Sequence, residues 1–107
     1  GRSYSRAASE AIALLGRLIR AGRIERGMTA QNLAERAGIS RDLLYRMEKG
    51  DPACSIGAVF ETAAIVGVPL FKPEETTLTG RLEEMRGRLA LLPKAVRAKP
   101  KVVKDDF

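Results

Sequence analysis

Residues 28–50 read MTAQNLAERAGISRDLLYRMEKG, and this stretch decides the fold. Thr29 stands before an apolar-periodic run and Gly38 follows it. Ser40 stands before a second run and Gly50 follows that one. A hydroxyl ahead of a helix accepts from its free N–H groups, and a glycine behind it takes the left-handed conformation that ends it. The spacing therefore predicts a helix over 30–37, a three-residue turn, and a second helix over 41–49. Ala34 lies four residues before Gly38, where the second helix would cross and a larger side chain would clash. Ile39 plugs the core beneath the turn, and Leu33, Leu44 and Met47 take the remaining buried spacings.

Length, small residue, glycine and apolar plug together are the pattern of a helix-turn-helix. The flanks extend it. A helix over 6–26 is expected to bury Ala11, Leu15, Leu18 and Ile19, with Arg17, Arg20, Arg23 and Arg26 turned elsewhere. Gly16 and Gly22 weaken that helix by ~1 kcal/mol each relative to Ala, a tolerable cost where another helix crosses closely. Gly27 ends it. Ser55 caps a fourth helix over 56–66, with Ile56, Val59, Phe60 and Ala63 at core spacing and Gly67 at its end. Pro69 and Pro73 bracket a connector whose Leu70 and Phe71 close the bottom of the core. The apolar run 63–66 has no neighbouring strand to pair with, and nothing alternates with period two for long enough to argue a sheet.

After Pro73 the pattern changes. Leu78, Leu82, Met85, Leu89 and Leu92 recur at steps of 4, 3, 4 and 3, the seam of a coiled coil on a helix over 79–92. This helix must pack on something: its own domain, a second copy, or another protein. Residues 94–104 are basic, carry Pro100 and lack a helical stripe, so free in solution they are expected to be disordered. The organisation read from the chain is a DNA-binding domain over 1–73, a dimerisation or partner-packing helix over 74–93, and a flexible basic tail over 94–107.

The 107 residues carry a net charge of +6. Residues 1–50 hold +5, residues 51–84 hold −4, residues 85–104 hold +7, and Asp105-Asp106-Phe107 adds −2. Two basic blocks around an acidic one suggest a face for polyanions, because Lys and Arg beside phosphates release condensed counterions. Histidine is absent and Cys54 is the sole cysteine. A Cys/His zinc site, an internal disulfide and every His-dependent triad are thereby excluded. Glu83 and Glu84 diverge at i, i+1 and make no acid–base dyad, and no Gly-rich phosphate loop appears. The chain is thus expected to be no enzyme and to need no metal or cofactor. Cys54 reads as a spectator thiol rather than a redox switch, since no resolving cysteine exists. No apolar run approaches the ~18 residues of a membrane span, and with no signal peptide visible the cytoplasm is the expected compartment.

The second helix of such a motif enters the major groove by its N-terminal end. Ser40, Arg41, Asp42, Tyr45 and Arg46 are expected to be exposed there. Arg grips guanine O6 and N7 with two bonds, worth ~1–3 kcal/mol of discrimination, so Arg41 and Arg46 are the main candidate readers of bases or phosphates. Ser40 and Tyr45 suit phosphate or sugar. Asp42 can accept from a cytosine amine or simply favour the positive helix end. Thr29, Gln31 and Lys49 complete the candidate DNA-binding set.

The chain resembles the Xre-type, phage-repressor-like helix-turn-helix family from Leu15 to Leu70, most specifically at GISRDLLYRMEKG. The resemblance implies an all-α fold: a five-helix repressor-like domain, here followed by the C-terminal helix and basic tail, that binds double-stranded operator DNA as a homodimer. It also pairs Arg23, late in the first helix, with Glu48, near the end of the third, in a structural salt bridge. Ala30 stands where many members carry a phosphate-contacting Gln, and Gln31 points about 100° away from that position. Gly50-Asp51-Pro52, Ser55-Ile56-Gly57 and Asp105-Asp106-Phe107 are similar to the HipB-like antitoxins encoded beside HipA-like kinase toxins. That narrower likeness implies a cytoplasmic, nucleoid-associated repressor of its own operon that also binds the toxin. Lys94, Arg97, Lys99, Lys101 and Lys104 then either lie along phosphates or fold onto a partner with Phe107 as an apolar anchor. An Xre-type regulator with no toxin partner, and a protein-interaction module that has lost DNA binding, are the alternatives.

Overall fold

Each helix begins at a hydroxyl. Ser5 accepts from the Ala8 amide and opens α1 (Arg6–Glu25). Thr29 opens α2 (Ala30–Ala37) with a reciprocal box: its Oγ1 accepts from the Asn32 amide at 3.0 Å, and the Asn32 side chain accepts from the Thr29 amide at 3.3 Å. Ser40 opens α3 (Arg41–Glu48), Ser55 opens α4 (Ile56–Ile65), and Thr77 opens α5 (Leu78–Leu91). The computed structural model describes residues 3–71 and 77–98, all helix or loop with no strand among them. The all-α expectation holds. Four helices belong to the unit Gly1–Leu70, and α5 belongs to the unit Phe71–Phe107. The four glycines expected at helix ends all have left-handed backbones, with φ from +68° to +85°. At Gly38 (φ +71°) this lets the chain leave α2 and return its Ile39 amide to the Ala34 carbonyl at 3.0 Å.

The core of the first unit gathers Ile19 of α1, Leu33 and Ala34 of α2, Leu44 and Met47 of α3, and Ala63 with Val66 from α4 and its end. Burying a Leu- or Ile-sized side chain contributes about 1.5–3 kcal/mol. Thr62 is fully buried as well, and its hydroxyl donates to the Ala58 carbonyl at 2.8 Å, which satisfies it inside its own helix. α2 packs on α3 and α4, while α1 lies across α3 and α4.

The α1 crossing explains its glycines. A Cβ at Gly16 would come within 2.9 Å of the Glu48 carbonyl oxygen, and one at Gly22 within 3.0 Å of the Val66 oxygen. Backbone thus rests on backbone at both points.

Four expected core positions are corrected. Ala11 is exposed and Leu18 is 44% exposed. The inward face of α1 is instead Ile12, Leu15, Gly16, Ile19, Gly22 and Arg23, a stripe rotated from the all-apolar one because two glycines and an arginine occupy it. Ile56 is 71% exposed, since it heads α4 at its first residue. Phe71 is 65% exposed, and Leu70 packs against the core of the first unit.

α5 starts one residue earlier than its spacing predicts, at the Thr77 cap. It buries no residue, and Leu78, Leu82, Met85, Leu89 and Leu92 are all exposed. Lys94 and Arg97 are exposed too, whereas Lys99, Lys101, Lys104 and Phe107 lie outside the described residues.

Candidate nucleic-acid interface

The two faces of α3 have opposite characters. Leu44, Met47 and Glu48 are buried, whereas Ser40, Arg41, Asp42, Tyr45, Arg46 and Lys49 are all exposed. Thr29 and Gln31 of the preceding helix are exposed as well. An eight-residue helix is too short to persist alone in water, so its attachment must come from neighbours.

A polar attachment lies at the C-terminal end. The Arg23 guanidinium meets the Glu48 carboxylate through two bonds, Nε to Oε2 at 2.7 Å and Nη2 to Oε1 at 3.1 Å. The residues are 8% and 4% exposed, so this is a buried, bidentate pair. The Glu48 hydrogen bond raises the affinity of Arg23 for its proton above the usual value, and burial opposes this only in part. Arg23 also donates to the Met28 carbonyl at 3.2 Å, tying the α1–α2 loop into the same clamp. Arg17 donates to the Glu48 main-chain carbonyl at 2.8 Å, and Gly16 sits against the same carbonyl. Glu48 is therefore held to α1 by both its side chain and its backbone.

Outside this clamp, the candidate contact residues are in different states. Arg41 and Asp42 have no hydrogen bond or ion pair from their side chains among the described residues. Asp42 lies in the first turn of α3, where a carboxylate favours the positive end of the helix. Ser40 Oγ accepts from the Leu43 amide at 3.0 Å, which leaves its own hydrogen to donate outward. Thr29 is engaged in its capping box, and Gln31 donates to Glu35 at 2.7 Å. Arg46 donates from Nε to Asp51 Oδ2 at 2.8 Å. Asp51 also accepts from the Ala53 amide at 2.9 Å. That backbone bond first, and the Arg46 guanidinium second, hold the Asp51 carboxyl below the usual carboxylate range. The turn after α3 thus aims Arg46 along the surface, with its terminal nitrogens uncommitted by that bond.

Sequence reasoning missed two partners of this surface. The Arg46–Asp51 pair needs the chain to double back after Gly50, which no spacing rule announces. The apolar spacing of α1 only turns Arg17 and Arg20 elsewhere, away from the buried stripe. The readable signal was Gly16: wherever α3 rests on that glycine, residues one and four positions later must flank α3.

Among the described residues, no group of three or more His, Cys, Asp or Glu side chains converges as a metal site. None of the described helices is long and apolar enough to cross a membrane. Burial pushes the Cys54 thiol above its ordinary value, which keeps it protonated and unreactive at neutral pH.

Neither a curated protein nor a solved structure gives a match to this chain. The family described as helix-turn-helix domain matches residues 14–75, more than half of the sequence. That span runs from the middle of α1 through α4 and includes the left-handed turn at Gly38 and the clamp on Glu48. With its second motif helix anchored by one face and presenting polar side chains on the other, the chain belongs to the helix-turn-helix domain family of DNA-binding proteins.

Proposed function

We propose that the chain is a sequence-specific transcriptional repressor, and the antitoxin that controls a HipA-like kinase toxin operon and binds that toxin. The single observation that carries the DNA part is the exposed row Ser40, Arg41, Asp42, Tyr45, Arg46 and Lys49 on a helix whose other face is fixed in the core. In this reading Arg41, at the N-terminal end of α3, reads a base edge. Arg46, braced by Asp51, reads a base or phosphate, and Ser40 and Tyr45 contact the backbone. Thr29, Gln31 and Lys49 hold the flanking phosphates. The protein works in the cytoplasm on the nucleoid as a binding protein rather than an enzyme. As a homodimer it sets two α3 helices about 34 Å apart, one turn of the duplex. α5 serves dimerisation or partner packing, and the basic tail from Lys94 onward meets either DNA or the toxin. The antitoxin part rests on the likeness of Gly50-Asp51-Pro52, Ser55-Ile56-Gly57 and Asp105-Asp106-Phe107 to HipB-like antitoxins.

A footprint on the gene's own upstream region, with and without the adjacent gene product, tests both parts. Protection that Arg41→Ala weakens and makes less selective supports the repressor. Extension or tightening of the footprint by a kinase-sized neighbour supports the antitoxin, and a neighbour without effect leaves a regulator with no toxin partner. Absence of any protected segment sinks the repressor reading.

A further inference from the structure

One cluster of charges extends the row just described from α3 onto α1. Arg17 and Arg20 of α1 and Tyr45, Glu48 and Lys49 at the end of α3 line a cleft of about 240 Å³. Other basic side chains nearby are already committed: Arg23 pairs with Glu48, and Arg46 with Asp51. Arg20, Lys49 and the Tyr45 hydroxyl make no hydrogen bond or ion pair among the described residues. Arg17 spends one Nη on the Glu48 carbonyl, which fixes its guanidinium beside the cleft and leaves its other N–H groups over. The one carboxylate in the lining, Glu48, is already neutralised by Arg23. Three positive charges and a phenol thus converge on open space with no acidic partner left for them. The C-terminal end of α3 contributes a partial negative charge here, and Arg17 and Lys49 offset it.

We infer that this cleft seats a phosphate group, and specifically one backbone phosphodiester of the duplex whose groove receives α3. The inference rests on the DNA-binding reading and adds a site to it. A tetrahedral phosphate offers the acceptors that two guanidiniums, an ammonium and a hydroxyl need. Tyr45 and Lys49 project from the same exposed helix as Arg41 and Arg46, so one strand can meet the cleft while base edges meet the N-terminal half of α3. The contact fixes position and carries no sequence information.

The test uses the full chain and a labelled random-sequence duplex of about 20 base pairs, with affinity followed across salt concentration. Arg20→Ala with Lys49→Ala should lower the slope of log affinity against log salt by about 0.9, and lower affinity roughly five- to tenfold near 0.1 M salt. The loss should be the same on a second, unrelated duplex. Arg6→Ala, exposed at the far end of α1, should leave the slope unchanged. Thermal melts of the variants should match the unsubstituted chain, because neither residue has a partner to lose. An unchanged slope in the double variant, or a loss confined to one sequence, overturns the site. Inorganic phosphate, titrated against the Arg20 side-chain NMR signal, separates the sources. Saturation in the micromolar range without any slope change on DNA would assign the cleft to a small phosphorylated molecule and remove the duplex. Failure of the unsubstituted chain to bind any duplex sinks the DNA reading itself, whereas binding with an unchanged slope in the variants sinks the cleft alone.

Discussion

Helices α3 and α5 both carry regularly spaced apolar side chains, yet α3 buries its own and α5 buries none. α5 is the longer, at fourteen residues against eight, and its seam is the more regular. α3 has neighbours within its own unit. Leu44 and Met47 meet α1 and α2 in the core, and Glu48 is tied to Arg23 and Arg17. Spacing describes a face, and only a facing surface turns it into a core. The two helices also differ in surface: α3 is fixed and exposes polar side chains, while the apolar side chains of α5 are exposed.

The contrast breaks most readily at the clamp. Glu48→Ala should leave the Arg23 charge buried without a countercharge, which costs about 3–5 kcal/mol. Urea unfolding measures it, and a loss under about 1 kcal/mol would mean that α3 is held mainly by Leu44 and Met47. Replacing both members, Arg23→Met with Glu48→Leu, should recover much of the loss, because an apolar pair of similar volume needs no compensation.

The same truncation at both helices sharpens the comparison. Leu44→Ala should destabilise the first unit by about 2–5 kcal/mol, as a fully buried leucine does. Leu82→Ala on α5 should shift it by no more than about 0.5 kcal/mol. Equal losses would show that α5 stabilises the domain and that the contrast is false.

A smaller effect tests the turn that aims Arg46. Asp51 has a folded pKa below its unfolded value, so its contribution is fully present above the unfolded value of about 3.9 and is lost as pH falls through the lower folded one. The urea midpoint of Asp51→Asn should therefore lie below that of the unsubstituted chain at about pH 6, and the two should converge under acid. A gap that persists at low pH would assign the turn to the Ala53 bond by geometry alone. The smallest effect belongs to Cys54. With its thiol pushed up by burial, it should react with iodoacetamide near pH 8 more slowly than an unfolded cysteine does, and urea should abolish the difference.

How far the sequence reached depended on the range of the cause. The caps at Thr29, Ser40 and Ser55 and the left-handed Gly38 act within one turn of chain, and the helix bounds of α2 to α4 follow from them to within a residue. The outward row on α3 followed as well, since Leu44 and Met47 fix which way that short helix faces. The face of α1 was misread because contact there is made by Gly16, Gly22 and Arg23, which a search for apolar side chains passes over. The Asp51 brace was illegible because it depends on how the chain doubles back after Gly50, and Gly16 places Arg17 beside α3 without announcing its bond to a main-chain carbonyl, which depends on where two distant segments come to rest.

The position of Tyr45 has a practical consequence. The chain contains two tyrosines and no tryptophan, so its near-ultraviolet emission comes from Tyr4 and Tyr45. Tyr4 stands ahead of the first helix, whereas Tyr45 stands in the exposed row of α3. Replacing Tyr4 by Phe leaves a single native fluorophore at the place of interest, and occupancy can then be followed optically without attaching a dye.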